Sequence, residues 1–168
     1  MRRLARWLLI GCALFGFNAF AQDPVQGVFV NANTSQEVID KAIDAGIEKM
    51  NFIKRPIARS RLKKTNPLYE RIEVGNDGSQ ISVRFDAGKP VVMPANGSTV
   101  KWTRDDGEVF DVSALATGSK LQQTFKAEDG QRVNEFDVAA DGTLTLRVTL
   151  TSPQLPAPVR YVLTYKRG

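Results

Sequence analysis

Turn residues recur at a near-constant interval through the last hundred residues of this chain, and this spacing constrains the fold more than any other feature. The recurring glycines, which fall 9 to 12 residues apart, are Gly78, Gly88, Gly97, Gly107, Gly118, Gly130 and Gly142. Most follow Asn or Asp, and such pairs suit tight hairpins because the turns need a positive φ that glycine adopts without a Cβ clash. Apolar and polar residues alternate between the turns, as in half-buried strands. The region from Tyr69 to Arg167 is therefore predicted to be an up-and-down antiparallel meander.

Each strand of this meander has a single apolar face. The clearest example runs from Thr143 to Thr151, where leucines and one valine alternate with threonines and Arg147. A long sheet with one apolar face must curl or double over to bury it, and closure also removes the exposed edges. The sequence therefore predicts a mainly β fold, an antiparallel up-and-down β-barrel of about 8–10 strands. A two-sheet sandwich is the alternative.

A helical segment is predicted before the meander, at about residues 34–64. Thr34 and Glu37 have the spacing of a capping box. The apolar residues that follow at helical spacing are Ile39, Ala42, Ile43, Gly46, Ile47 and Met50. Pro56 ends or resets this helix, and a second short helix is predicted from Ile57 to Lys64.

The N-terminus has the features of a secretory signal peptide. A basic stretch (1–6) precedes an apolar run (7–17) too short to span a bilayer, and Ala19-Phe20-Ala21 is a small-x-small cleavage pattern. We therefore expect cleavage after Ala21, a single domain at residues 22–168 and a periplasmic location. Residues 9–12 resemble a lipobox, but apolar residues follow Cys12. A lipid anchor at Cys12 is the less favoured alternative.

Composition limits the chemistry that the chain can perform. The sequence has no histidine, and its single cysteine would be removed with the signal peptide. Thiol nucleophiles, disulfides, Ser-His-Asp triads and the usual zinc or haem ligation are thereby excluded from the mature protein. A carboxylate-based hydrolase would need two inward acids, whereas Asp111, Glu135 and Asp137 are predicted to face outward. The acidic turns lack calcium-loop spacing, so we predict no enzyme activity, cofactor or metal.

Positive charge is concentrated in the helical segment. Seven of the 20 basic residues of the predicted mature chain lie between Lys49 and Lys64, and no acid falls between Glu48 and Glu70. The predicted membrane or partner face comprises Lys54, Arg55, Arg59, Arg61, Lys63 and Lys64. Such a face fits an anionic lipid surface or a protein partner, and equally a solvated surface that balances the acidic remainder. Nucleic acid is not expected for an exported protein.

The order of elements resembles the fatty-acid-binding proteins and the wider calycin (lipocalin-like) barrels: a first strand near Val25–Asn31, two short helices, then the meander. The similarity is clearest from Phe110 to Arg167, where Glu128-Asp129-Gly130, Asp141-Gly142 and a Tyr-rich last strand fall where that family's last hairpins fall. It is a similarity of topology and rests on no specific motif. The last third is also similar to uncharacterised exported bacterial proteins. The resemblance implies a barrel that holds a small hydrophobic ligand beneath a helical lid.

In that family an Arg-x-Tyr pair on the final strands often holds the ligand carboxylate. Here Arg160 and Tyr161 are adjacent, so they are predicted to point to opposite faces, and the clamp cannot be transferred. Instead, Gln123, Arg132 and Asn134 share the parity of the apolar residues in their strands, and a few placed polar groups in an apolar interior are typical of pockets for amphiphiles. The predicted ligand-binding residues are Phe85, Trp102, Gln123, Phe125, Arg132, Asn134, Phe136 and Tyr161.

The same pattern has a purely structural interpretation, in which Arg132 reaches water at the barrel mouth and the two amides bond each other or a buried water. Two functions are therefore open. The first is a periplasmic, non-enzymatic barrel that binds a lipid or fatty-acid-class ligand. The alternative is an envelope structural or interaction protein with a fully packed barrel, which uses the basic 49–64 face to bind anionic lipid or a protein partner. The oligomeric state is not predicted.

Overall fold

Ten strands and two helices make up residues 25–168, the part of the chain that the computed structural model describes. The helices α1 (Gln36–Ile47) and α2 (Arg55–Thr65) lie between the first two strands. The strands are β1 (Gly27–Asn31), β2 (Arg71–Asn76), β3 (Gln80–Phe85), β4 (Val91–Pro94), β5 (Val100–Thr103), β6 (Val109–Thr117), β7 (Lys120–Lys126), β8 (Gln131–Val138), β9 (Leu144–Thr151) and β10 (Val159–Arg167). The predicted signal peptide at 1–21 and the lipobox at Cys12 lie outside the described residues.

The strands form one antiparallel sheet in the order β4-β3-β2-β1-β10-β9-β8-β7-β6-β5. Strand β1 pairs with both β2 and β10, so it joins the start of the chain to its end. The edges β4 and β5 are not paired with each other, and an isolated bridge between Asn96 and Leu115 lies beside this gap. The barrel is therefore nearly closed. This confirms the predicted up-and-down barrel rather than the two-sheet sandwich.

The turn chemistry follows the residues that the sequence places at the hairpins. Gly78 and Gly142 have φ values of 87° and 82°, in the left-handed region that favours glycine. The Asn76 side-chain oxygen accepts a hydrogen bond from the backbone N–H of Gly78 at 3.0 Å. Asp141 does the same for Thr143 at 2.9 Å. These local bonds set where each strand reverses.

The inner face of the barrel is apolar, as the alternation predicts. Strand β9 shows the pattern most clearly, since Leu144 and Leu146 are fully buried whereas Arg147 is exposed. The other strands contribute inward side chains of the same parity: Phe29, Ile72, Val74, Ile81, Val83, Val91, Met93, Val112, Ala114, Leu121, Phe125, Phe136, Val159, Tyr161, Leu163 and Tyr165. These residues form one hydrophobic core with the buried side of α1.

Helix α1 docks on the barrel through its predicted apolar stripe. Ile39, Ile43 and Ile47 are fully buried, and Gly46 lies directly against Val159 of β10. Helix α2 has no fully buried residue and packs on α1, to which the ion pairs Arg59–Asp44 and Lys63–Asp40 join it. Within residues 25–168, neither helix is long and apolar enough to cross a membrane.

The predicted capping box at the start of α1 is wrong. The N-cap is Ser35, and it forms no side-chain capping bond. The Thr34 hydroxyl instead accepts a hydrogen bond from the backbone N–H of Thr164 at 3.3 Å, and Glu37 pairs with Lys41 at 2.7 Å. The Thr34 hydroxyl, which the local spacing predicted to cap the helix, therefore bonds the backbone of β10 instead.

Candidate functional site

The candidate site lies at the barrel end where β1 leads into α1 and α2 returns to β2, which we call the helix end. Because successive strands run in opposite directions, the ends of β5 and β7 and the starts of β6 and β8 also lie there. Asn66, the residue that ends α2, is buried at this end. The helix end is thus the place where a side chain of the helical segment meets side chains of the barrel interior.

A line of side-chain hydrogen bonds runs through the interior of the barrel. Asn134 Nδ2 donates to Gln123 Oε1 at 3.0 Å, and Arg132 Nε donates to Asn134 Oδ1 at 2.8 Å. Gln123 and Asn134 are fully buried and stand opposite each other in the β7–β8 register. Gln123 Nε2 lies 3.6 Å from Met93 Sδ. The structure therefore brings the three predicted polar residues together.

Asn66 closes this line at the lid. Its Oδ1 accepts hydrogen bonds from Arg132 Nη1 at 3.1 Å and from the Tyr161 hydroxyl at 3.3 Å. Its Nδ2 donates to the backbone carbonyl of Leu62 at 2.8 Å. Asn66 is absent from the predicted ligand-binding set, and the one sequence signal at this position is the preference of asparagine for helix C-termini.

Tyr161 acts here as a hydrogen-bond donor. It is 5% exposed, and burial raises the pKa of its hydroxyl, a shift that the nearby Arg132 guanidinium opposes. The phenol therefore stays protonated at neutral pH and keeps its O–H for Asn66. Arg132 and Tyr161 together present two donors to a single oxygen atom.

Aromatic side chains surround these donors at the helix end. Trp102, Phe110 and Phe125 form a cluster with ring centroids 5.6 to 6.1 Å apart. Trp102 and Phe110 are half-buried, so this apolar surface is open to solvent in part. Phe125 stands directly opposite Arg132 in the β7–β8 register. Phe110 is a member of the cluster that the sequence-based set omits.

The two remaining predicted aromatic residues connect this end to the core. Phe85 is half-buried, and its ring centroid lies 4.5 Å from that of Tyr69 and 6.5 Å from that of Phe136. Phe136 is almost fully buried. We call Phe85, Trp102, Phe110 and Phe125 the aromatic mouth. Its member Phe125 is the residue that stands opposite Arg132 in the β7–β8 register.

The deeper barrel is filled by side chains. Ile81, Met93 and Leu146 are fully buried there. Two concavities, of about 280 and 270 Å³, lie at the β7–β8 hairpin and beside β1–β3, and none of the predicted ligand-binding residues lines either one. Half-buried interior side chains lie at both ends of the barrel: Phe85, Trp102 and Phe110 at the helix end, and Ala116 and Val138 at the opposite end. The helix end is the one at which the interior hydrogen bonds reach Arg132 and Asn66.

The predicted basic face divides into two groups. Arg59 and Lys63 form the ion pairs with α1, and Arg55 donates to the backbone carbonyl of Met50 at 2.9 Å. These three side chains hold the helical pair together. The others, which form no ion pair within residues 25–168, are Lys54, Arg61 and Lys64.

Exposed apolar side chains lie in the middle of this basic segment. Phe52, Ile53 and Ile57 are 76%, 65% and 62% exposed. Isolated exposed apolar residues are ordinary on protein surfaces, whereas three at one helix turn among cations form an amphipathic tip. We call Phe52, Ile53 and Ile57 the apolar tip. The sequence predicted the cationic residues of this segment but not the exposed apolar tip.

In the described part of the chain, no three acidic, cysteine or histidine side chains lie close enough together to hold a metal ion. No family model matches the sequence, and no curated protein matches it either.

Solved structures share the fold. Fatty-acid-binding protein 1 of Echinococcus granulosus has a TM-score of 0.53 at 14% identity, over 85% of this chain and 96% of that protein. The Schistosoma mansoni fatty-acid-binding protein in complex with arachidonic acid has a TM-score of 0.52 at 17% identity, over 85% and 95%. Zebrafish ileal bile-acid-binding protein complexed with cholic acid has a TM-score of 0.53 at 14% identity, over 85% and 98%. The fold is therefore that of the fatty-acid-binding, calycin-like barrels.

Proposed function

We propose that this protein is a non-enzymatic binder of a small hydrophobic or amphiphilic molecule of the lipid or fatty-acid class, and that it holds this ligand at the helix end of its barrel. The structures that share its fold include proteins named for fatty acids and a bile acid. The observation that supports the proposal most strongly is the position of Arg132, between the aromatic mouth and the interior amides.

Arg132 is a half-buried cation without a counter-charge. Within residues 25–168, no carboxylate lies within 4.0 Å of its nitrogens. Its hydrogen-bond partners, Asn66 and Asn134, are neutral. Removing a charge from water is unfavourable unless another charge or hydrogen bonds compensate for it. An acidic head group would supply that charge, while its apolar tail lay on the aromatic rings.

The number of strands favours room for a ligand at this end. Barrel diameter grows with strand number, and eight strands already enclose a space that side chains just fill or that holds one small ligand. Ten strands enclose a wider space, and Phe85, Trp102 and Phe110 of the aromatic mouth are only half-buried. Helix α2 has no fully buried residue and reaches this end of the barrel through Asn66, so we propose that the ligand enters by displacing α2.

A titration with dodecanoate tests this function. The expected result is saturable binding to the wild-type chain, weakened about tenfold or more in Arg132→Gln because a charged hydrogen-bonding partner is lost. Arg147→Gln is the matched control, since Arg147 lies on the outer wall and is 50% exposed. Tryptophan fluorescence provides a second readout, because Trp102 is the one tryptophan of the predicted mature chain (22–168).

The packed-barrel hypothesis predicts a different outcome. Arg132→Gln and Trp102→Phe would then change the free energy of unfolding without any change in binding. Native mass spectrometry of the protein purified from the cells that make it provides an independent check. A bare protein mass, together with no response to dodecanoate, would refute the proposal.

We further propose that the chain acts in the periplasm after removal of residues 1–21. The basic start, the short apolar run and the Ala19-Phe20-Ala21 pattern support this location. N-terminal sequencing of the protein from fractionated cells should find Gln22 as the first residue. A lipid-modified Cys12 at the N-terminus would instead establish the anchored form.

A second candidate function is docking on an anionic lipid surface. The apolar tip favours it, because amphipathic helices bind such interfaces by burying apolar side chains while cations contact the head groups. Lys54, Arg61 and Lys64 are not engaged in ion pairs within the described residues and lie in the same segment as the tip. Each cation near such a surface contributes on the order of 1 kcal/mol.

Vesicle sedimentation distinguishes this candidate. Binding to phosphatidylglycerol vesicles should exceed binding to phosphatidylcholine vesicles and should weaken as salt rises. Phe52→Ser should reduce it, whereas Leu115→Ser, at a 57% exposed site on the barrel wall, should not. Equal binding by both variants, or no preference for anionic lipid, would remove the second candidate.

A further inference from the structure

The buried side chain of Asn66 occupies a position that suits an anionic oxygen. Its Oδ1 receives one bond from a guanidinium and one from a phenol. The orientation of this amide follows from its neighbours, because Nδ2 faces the carbonyl of Leu62 and only Oδ1 is able to accept from Arg132. Both donors come from the barrel and the acceptor comes from the lid.

A neutral amide is a weak partner for this pair of donors. The bond from Arg132 is already charge-assisted through its donor, whereas the bond from Tyr161 is neutral. An ionised acceptor would make both bonds charge-assisted, and such bonds are shorter and roughly twice as strong as neutral ones. Arg132 also has no carboxylate within ion-pair distance in the described part of the chain. A carboxylate or sulfonate oxygen at the position of Asn66 Oδ1 would keep both bonds and would add the missing counter-charge.

The Asn66 amide also holds the end of α2. Its Nδ2 donates to Leu62 and to Thr65 Oγ1, and its backbone carbonyl accepts from Gln36 Nε2 at 3.4 Å. Gln36, in the first turn of α1, also accepts a bond from the backbone N–H of Leu68 at 2.7 Å. The bonds of Asn66 therefore link the ends of both helices to the barrel interior.

Helix α2 has few other attachments to the barrel. It contributes only half-buried apolar side chains, Ala58 and Leu62, to the core, and its ion pairs lead to α1. Loss of the Asn66 bonds would thus free the C-terminal turn of α2 without exposing a fully buried apolar residue.

We propose that Asn66 is an internal competitor for the ligand: its side-chain oxygen occupies the head-group position between Arg132 and Tyr161, and an anionic amphiphile binds by displacing it and releasing the end of α2. This inference rests on the proposed ligand-binding function and adds to it the role of Asn66, whose side chain couples occupancy of the head-group position to the position of α2.

Calorimetric titrations with dodecanoate and with uncharged dodecan-1-ol test the inference. Asn66→Asp places a carboxylate beside Arg132, so it should lower the affinity for dodecanoate by about tenfold or more and should change that for dodecan-1-ol little. Asn66→Ala removes the competitor and should raise the affinity for dodecanoate. The matched control is Asn51→Asp, which adds the same charge in the loop between the helices and keeps an oxygen for the Ile53 N–H.

The change in deuterium exchange on addition of dodecanoate provides a readout that a purely structural role for Asn66 would leave unchanged. Dodecanoate should increase exchange in residues 55–66 of the wild-type chain. In Asn66→Ala the exchange should already be high without ligand. Circular dichroism and thermal unfolding of each variant establish that the barrel is folded.

The outcomes separate the inference from the function on which it rests. Binding of dodecanoate with equal affinity to the wild-type chain and to both Asn66 variants would overturn the competitor and leave the binding function in place. Binding only to Asn66→Ala would support the competitor. Absence of binding by either amphiphile to all variants would refute the binding function, and the competitor with it.

Discussion

Gly46→Ala tests whether the helical lid docks on the barrel as described. In most helices this change stabilises by about 1 kcal/mol, because glycine is the poorer helix former. Here the added Cβ would lie 2.4 Å from Val159 Cγ2, about 1 Å short of ordinary contact at 3.4 Å. Val159 is fully buried, so either α1 must back away from β10 or the valine must leave its rotamer.

The two effects oppose each other, and their sizes decide the sign. Overpacking a buried contact costs about 1–3 kcal/mol, against the gain of about 1 kcal/mol from helix propensity. The difference is about 0–2 kcal/mol, and the 2.4 Å contact places it towards the upper end, so we expect Gly46→Ala to lower the free energy of unfolding by up to about 2 kcal/mol. For a domain of this size, each kcal/mol lowers the melting temperature by about 2–4 °C.

Urea denaturation followed by circular dichroism measures this change. Ala45→Gly, at the exposed neighbouring position, calibrates the propensity term within the same helix. Gly46→Ala in a Val159→Ala background should become stabilising, because the smaller side chain makes room for the methyl group, with a coupling energy of about 0.5–3 kcal/mol. If Gly46→Ala raised the stability by about 1 kcal/mol in both backgrounds, the docking of α1 would be refuted.

Two further changes test the interior and the surface. Asn134→Ala should lower the free energy of unfolding by about 1–3 kcal/mol in urea titrations, because buried Gln123 loses its partner; exposed Glu135→Ala should have little effect. The hydrogen bond from Arg104 holds the pKa of Asp106 at about 2, below its usual 3.8. The ionised Asp106 carboxylate therefore contributes to stability above pH 3.8, and this contribution is lost as the pH falls through about 2. In Arg104→Gln, NMR titration should find this pKa raised towards 3.8, while the backbone hydrogen bond from Glu108 continues to lower it; an unchanged pKa would contradict this cause.

The alternation of residues within each strand predicted the inward polar residues, because this alternation does not depend on the overall fold. Gln123, Arg132 and Asn134 alternate with apolar neighbours, so any register that buries those neighbours also turns the polar groups inward. The register then placed Gln123 opposite Asn134. The aromatic residues at positions 85, 102, 125 and 136 followed from the same rule.

The capping box shows where local patterns fail. Thr34 has the spacing of a helix cap, yet its hydroxyl bonds the backbone of Thr164, which is 130 residues distant in sequence. A short-range capping bond contributes only about 1 kcal/mol, and a contact formed on docking against β10 replaces it. The spacing of residues within one helical turn cannot reveal a hydrogen-bond partner that is distant in the sequence.

The sequence by itself determined the barrel, its turns and the inward residues of this protein, because hairpin glycines and a two-residue period act over a few positions of the chain. Only the tertiary structure decided that Asn66 meets Arg132 and Tyr161, which are 66 and 95 residues away. It also decided that Phe52 and Ile53 project from the lid into solvent. The physical reason is that these features depend on where α2 lies at the helix end of the barrel. This placement is set by the packing of α1 against β10 rather than by any local preference.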